Sequence, residues 1–167
     1  MKLLATLNPE QVSEEEARNY PVREAARAVV LDADNRVALL HVTSQGYYKL
    51  PGGGLDDDTD KIAALNRECL EEIGCAVTVV EELGCLVEHR KMFSLEQVSY
   101  CYLARVVGEK GSPSFTEKEL ADGFSELWLP YDEALATLEG SDAKNQEGRL
   151  YIVPRDIIIL KEARTLL

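Results

Sequence analysis

The chain has 167 residues, enough to bury one hydrophobic core and short of what two domains ordinarily need. Its composition, 46% hydrophobic and 29% charged without a Pro- or Ser-rich linker, excludes long disorder. A formal charge of −12 repels nucleic-acid backbones and anionic membrane surfaces, so neither is an expected partner. A polyphosphate is the exception such a chain admits, because bound cations bridge two negatively charged partners.

Residues 1–7 look faintly like a signal peptide, but Asn8-Pro9-Glu10-Gln11 and Glu14-Glu15-Glu16 follow before an apolar region forms. No stretch approaches a membrane span, and the chain reads as cytoplasmic. Residues 1–20 are predicted to be an N-terminal arm or short helix ended by Pro21, with a single domain over 21–167.

Two apolar runs, 25–31 and 37–42, flank a turn-forming Asp32-Ala33-Asp34-Asn35-Arg36 and predict a β-hairpin. A short strand over 47–50 runs into Pro51-Gly52-Gly53-Gly54. Asp56-Asp57-Asp58-Thr59 and Gly74 then bracket a helix from about 60 to 73, with Ile62, Leu65, Cys69 and Ile73 as its buried stripe. Strands are predicted over 76–80, 84–88 and 98–107, the last with Tyr100, Tyr102 and Ala104 on one face. Leu127-Trp128-Leu129 reads as a final strand, followed by a helix over 131–138 and a closing helix opened by Pro154. Strands and helices mix without regular βαβ alternation, which gives α+β or α/β with a mixed sheet. Cys69, Cys75, Cys85 and Cys101 contain no C-x-x-C pair and form no zinc pattern with His41 and His89. They read as small core hydrophobes in a reducing compartment.

The chemistry concentrates in Arg67-Glu68-Cys69-Leu70-Glu71-Glu72-Ile73-Gly74. Glu68, Glu71 and Glu72 stand at i, i+3 and i+4, so a helix brings their carboxylates together, on the face predicted to lie opposite the apolar stripe. Three carboxylates repel one another and, near a helix C-terminus, face the negative end of the macrodipole. Mg²⁺ removes the conflict, since it prefers oxygen ligands and bridges carboxylates to phosphate oxygens. Alone, a Glu-Glu pair before a Gly stop is the ordinary end of a solvated helix.

The same helix follows Lys49-Leu50-Pro51-Gly52-Gly53-Gly54-Leu55 at a fixed distance, and here the sequence resembles the Nudix hydrolase (MutT-like) family, whose box runs G-x5-E-x7-R-E-U-x-E-E-x-G-U with U a bulky aliphatic. The box glycine falls on Gly53, its Arg-Glu on Arg67 and Glu68, its Glu-Glu on Glu71 and Glu72, and its late glycine on Gly74. The family's L-P-G-G lead-in matches residues 50–53. Looser similarity runs from Arg23 to about Leu138. The main departure is Thr59 where the box has its first glutamate, which removes an expected partner of Arg67 and puts catalytic rate in question more than metal binding. Asp58 and Asp60 are the nearest substitutes. Cys69 and Cys75 stand where larger aliphatics are usual.

The resemblance implies an α+β fold, an α/β/α sandwich in which a mixed β-sheet is flanked by helices. It implies a Mg²⁺-dependent pyrophosphohydrolase, with Mn²⁺ as an alternative ion, cleaving a diphosphate linkage in a nucleoside triphosphate or another nucleoside diphosphate derivative. The metal ligands would be Glu68, Glu71, Glu72 and the Gly53 carbonyl, with Arg67 orienting Glu68. The general base would be Glu68 or, from the loop before the Trp128 strand, Glu117 or Glu119. Candidate substrate contacts are Arg23, Arg27, Arg90 and Lys91, with His89 in the same basic cluster, and Tyr47 or Tyr48 for stacking on a ring. No signature of the ADP-ribose, dinucleoside polyphosphate or NADH subfamilies follows the box. Two other functions compete on this fold: a nucleotide sensor without turnover, suggested by Thr59, and a diphosphate isomerase, which lacks its characteristic extensions here. A homodimer is left open by the apolar run 157–160, which suits an interface or the sheet equally.

Overall fold

The computed structural model describes residues 1–56 and 60–167. Among them eight strands form one mixed sheet: β1 (Leu3–Leu7), β2 (Val22–Leu31), β3 (Val37–Val42), β4 (Tyr47–Lys49), β5 (Gly52–Gly54), β6 (Ala76–Arg90), β7 (Leu95–Val107) and β8 (Phe124–Leu129). The main path runs β1-β6-β7-β2-β3-β4, with β5 added to β2 and β8 to β3.

The centre of this sheet is β2, parallel to β7 over residues 22–31 and antiparallel to β5 at Ala25–Arg27. Its sequence is an unbroken buried run from Ala25 to Leu31, as expected of a strand covered on both faces. Alternate residues serve the two layers. Ala26, Ala28 and Val30 join Tyr102 and Ala104 against the helix α2 (Lys61–Ile73), whereas Val29 and Leu31 join Cys101 and Leu103 against α4 (Tyr131–Glu139) and α5 (Val153–Ala163). The result is the α/β/α sandwich, and it leaves the β4–β5 edge open between the two helical layers.

Several local expectations change. Residues 1–20 contain the edge strand β1, paired parallel to β6, before the one-turn helix α1 (Glu14–Ala17), because Leu4 and Leu7 find apolar cover beside α5. The segments 76–80 and 84–88 are one strand, β6, bent by register shifts near Glu81 and Leu83. The 25–31 and 37–42 strands meet across the predicted turn, but they pair only at Leu31 and Val37 before β3 turns to β4 and β8. The segment holding Glu117 and Glu119 is a short helix, α3 (Glu117–Ala121), because Thr116 and Glu119 close a capping box. The run 157–160 packs on the sheet, with Ile159 and Leu160 fully buried.

Candidate active site

Helix α2 carries the acidic part of the site. Asp60 caps its start by accepting from the Ile62 and Ala63 amides, and Gly74 ends it at φ 64°, a left-handed value that suits glycine. Asp57, Asp58 and Thr59 lie outside the described residues, so the departure at Thr59 and the substitute role of Asp58 do too; Asp60 is occupied as the cap.

The buried side of α2 differs from the predicted stripe. Ile62 is 45% exposed, while Ala64, Leu65, Cys69 and Ile73 are buried, and Glu72 is buried among them at 2%. Glu72 therefore lies inside the buried arc rather than opposite it. A pattern of apolar residues could not reveal this, because the partners that make Glu72 tolerable come from another segment. Lys49 donates to Glu72 Oε1 at 2.7 Å, and the Gly52 amide donates to Oε2 at 2.7 Å. Burial raises the Glu72 pKa, with Lys49 and the Gly52 amide pulling the other way.

Glu68 lies one helical turn earlier and packs directly on the glycine loop, where a Cβ at Gly53 would overlap its carboxylate. Burial raises its pKa as well, against the pull of Arg67. Arg67 donates to Glu68 Oε1 at 2.7 Å and to the Gly54 carbonyl at 3.1 Å, and its Nη1 lies 3.6 Å from Glu71. The more exposed Glu71 is the third carboxylate of this edge.

Hard oxygen donors on two helical turns, two of them desolvated and pressed on a glycine loop, suit a divalent cation such as Mg²⁺. Their present partners are Lys49 and Arg67. The described residues contain no group of three carboxylate, His or Cys side chains already gathered at ligating distance.

A cavity of about 520 Å³ opens beside the glycine loop, lined by Lys49, Gly52 and Gly53 together with Arg27, Arg90 and Arg155. Arg23 also lines it, with its guanidinium on Gln97 Oε1 at 2.9 Å. Arg27, in register with Gly52, donates to the Gly52 carbonyl at 3.0 Å. Arg90 lies at the end of β6 and donates to Glu147 at 2.7 Å. Among the other predicted substrate contacts, Lys91 points elsewhere, 3.5 Å from Glu16, and His89 lies 3.3 Å from Glu96. Tyr47 lines the cavity, while Tyr48, one residue on and so on the opposite side of the strand, stacks on His41 at 4.3 Å. Glu119 borders the cavity with its carboxylate bonded to the Thr116 amide and hydroxyl, and Glu117 does not line it.

Sequence reading missed Lys49, Glu88, Arg155 and Asp156. The adjacent Arg155-Asp156 inside the otherwise apolar 152–160 run was the available signal, because an uncompensated charge there would be costly.

The family model described as the NUDIX domain matches residues 21–149. The chain belongs to the Nudix hydrolase family. It is a Nudix pyrophosphohydrolase by this membership, and solved structures agree on the fold. A NUDIX hydrolase from Nitrosomonas europaea superimposes with a TM-score of 0.66 at 17% identity, covering 87% of this chain and 90% of that one. The MutT protein from Methanosarcina mazei Go1 gives 0.59 at 14% identity over 89% and 97%. An ADP-ribose pyrophosphatase from Streptococcus suis 89-1591 gives 0.54 at 19% identity over 85% and 92%. No curated protein matches the chain.

Proposed function

We propose that this Nudix domain hydrolyses a diphosphate linkage in a nucleoside triphosphate or another nucleoside diphosphate derivative, with Mg²⁺, or alternatively Mn²⁺, held by Glu68, Glu71, Glu72 and the Gly53 carbonyl. The observation that carries the reading is the contact of the buried Glu72 and the partly buried Glu68 with the Gly52–Gly53 loop, which lines a cavity together with Arg23, Arg27, Arg90 and Arg155. The ion supplies Lewis acidity there, lowering the pKa of water and neutralising charge on phosphoryl oxygens.

The chain's own residues do the positioning. Arg67 fixes the Glu68 carboxylate through a charge-assisted hydrogen bond, and Lys49 with the Gly52 amide fixes Glu72. Water adds to one phosphorus as the bridging P–O bond breaks, and the leaving phosphate takes the electron pair. Glu68 accepts the proton of the attacking water. It is favoured over Glu119, whose carboxylate is committed to the α3 cap, and over Glu117, because the Glu68 carboxylate packs on the Gly53 loop proposed to hold the ion. Arg23, beside Gly54, holds the substrate's anionic oxygens at the glycine loop.

Magnesium-dependent product release, measured over nucleoside triphosphates, nucleotide sugars, ADP-ribose and dinucleoside polyphosphates beside a Glu72→Gln control, tests this. Turnover of any substrate that disappears in the control supports the reading. Ligand binding without turnover anywhere rejects it in favour of a sensor.

A further inference from the structure

The cavity lining contains a charge network that the reaction above leaves unused. Arg27, Arg90 and Arg155 are 6%, 4% and 1% exposed, and all three line the cavity. Behind them stand two fully buried carboxylates. Glu88 accepts from Arg90 at 3.2 and 3.3 Å and lies 3.7 Å from Arg155, while Asp156 accepts from Arg155 Nε at 2.7 Å. Asp156 is itself anchored by the Leu50 amide at 2.8 Å, immediately before the glycine loop.

With Glu147, which accepts from Arg90 at 2.7 Å, three guanidiniums face three carboxylates, and Arg27 is the one of the three left without a carboxylate partner. Its partners are neutral, the Gly52 carbonyl and the Ser99 hydroxyl at 3.3 Å, and no carboxylate of the described residues lies within ion-pair distance. Burial, followed by repulsion from Arg155, lowers its pKa to about 10. Two donor atoms of the network, Arg155 Nη1 and Arg90 Nε, are buried without a hydrogen-bond partner, although Arg155 Nη1 lies 3.7 Å from Glu88 Oε2. Glu147 compensates Arg90 from the half-exposed rim. A buried charge with unmade donors is costly unless an anion completes it.

We infer that Arg27, Arg90 and Arg155 form a phosphate subsite that works without metal. It receives a phosphate group of the substrate other than the diphosphate held at the carboxylate edge. The inference rests on the hydrolase reading for the word substrate only; the anion site itself stands on the guanidinium geometry. A tetrahedral dianion matches the planar donors of these side chains and supplies the ionic partner that Arg27 lacks.

The test is calorimetric titration of the full chain with inorganic phosphate in excess chelator, where the carboxylate edge has no cation and repels the anion. Saturable one-site binding is expected in the wild type and in Arg18→Gln, an exposed control. Arg27→Gln and the charge-retaining Arg155→Lys should each weaken it by about tenfold or more. Circular dichroism identifies folded variants; if Arg155→Lys does not fold, Arg27→Gln and Arg27→Lys decide. Absence of saturable binding in the wild type, or unchanged affinity in a folded Arg27 variant, overturns the subsite. Because no turnover is read, failure of the hydrolase assay leaves this result standing, and the reverse also holds.

Discussion

The box helix and the arginine-lined cavity beside it solve the problem of buried charge in different ways. On α2, buried carboxylates are balanced locally: Lys49 neutralises Glu72 and Arg67 holds Glu68, so a cation introduced there competes with side chains already in place. In the β2–β6–α5 cluster, buried guanidiniums outnumber buried carboxylates and two donor atoms lack partners. In the proposed reaction the acidic edge carries the chemistry and the basic cluster holds an anion, a division by which a chain of charge −12 would accommodate a polyanionic substrate.

The largest expected effect comes from breaking the basic cluster. Asp156→Ala strands Arg155 and the Leu50 amide in the interior and should cost about 3–5 kcal/mol in urea unfolding. A loss below ~1 kcal/mol would mean that the network is not held by this pair. Next is the acidic edge: Glu72→Gln keeps an acceptor for the Gly52 amide while removing the charge, so kcat should fall about 10²–10³-fold with the fold intact. An equal effect on KM alone would move Glu72 from catalysis to ground-state binding.

Of these two regions the acidic one was legible in the sequence as a cluster, whereas of the basic one Arg27 and Arg90 were named as candidate substrate contacts and Arg155 was missed. Its residues lie on one short helix with readable caps, and their spacing alone brings them together. The burial of Glu72 was not legible, because it depends on Lys49 and Gly52 approaching from β4 and β5. The basic cluster takes Arg27 from β2, Arg90 from β6 and Arg155 from α5, segments that only the folded sheet unites. The sheet's layers followed from apolar runs, whereas β1 did not, since its partner β6 lies some eighty residues away, and the bend in β6 did not, since it is a register shift against β7.

A smaller effect isolates buried charge away from both regions. Asp32 is 3% exposed and accepts from Lys110 at 2.6 Å and from the Arg36 amide and Nε at 2.8 and 2.9 Å. Burial opposes its charge, but those bonds win and lower its pKa from 3.8 to about 2. A depressed carboxylate stabilises the fold above its unfolded pKa, and this contribution disappears as pH falls from about 4 through about 2. Asp32→Asn should therefore cost about 2 kcal/mol at pH 7 and flatten the acid limb of stability in that window. An unchanged acid limb would show that the bonds do not favour the ionised form.

The smallest effect separates the candidate bases. Glu119→Gln should leave kcat within about threefold while loosening the α3 cap by about 0.5–1 kcal/mol in thermal unfolding. A hundredfold loss of kcat would transfer the base from Glu68 to α3.

Hydrolysis at phosphorus is the central claim, and it is read most directly by running magnesium-dependent turnover in ¹⁸O-water and weighing both products. One ¹⁸O in the phosphate of a single product, absent with Glu72→Gln, is the predicted result. Turnover that leaves every product phosphate unlabelled, or bound substrate recovered intact, would contradict it.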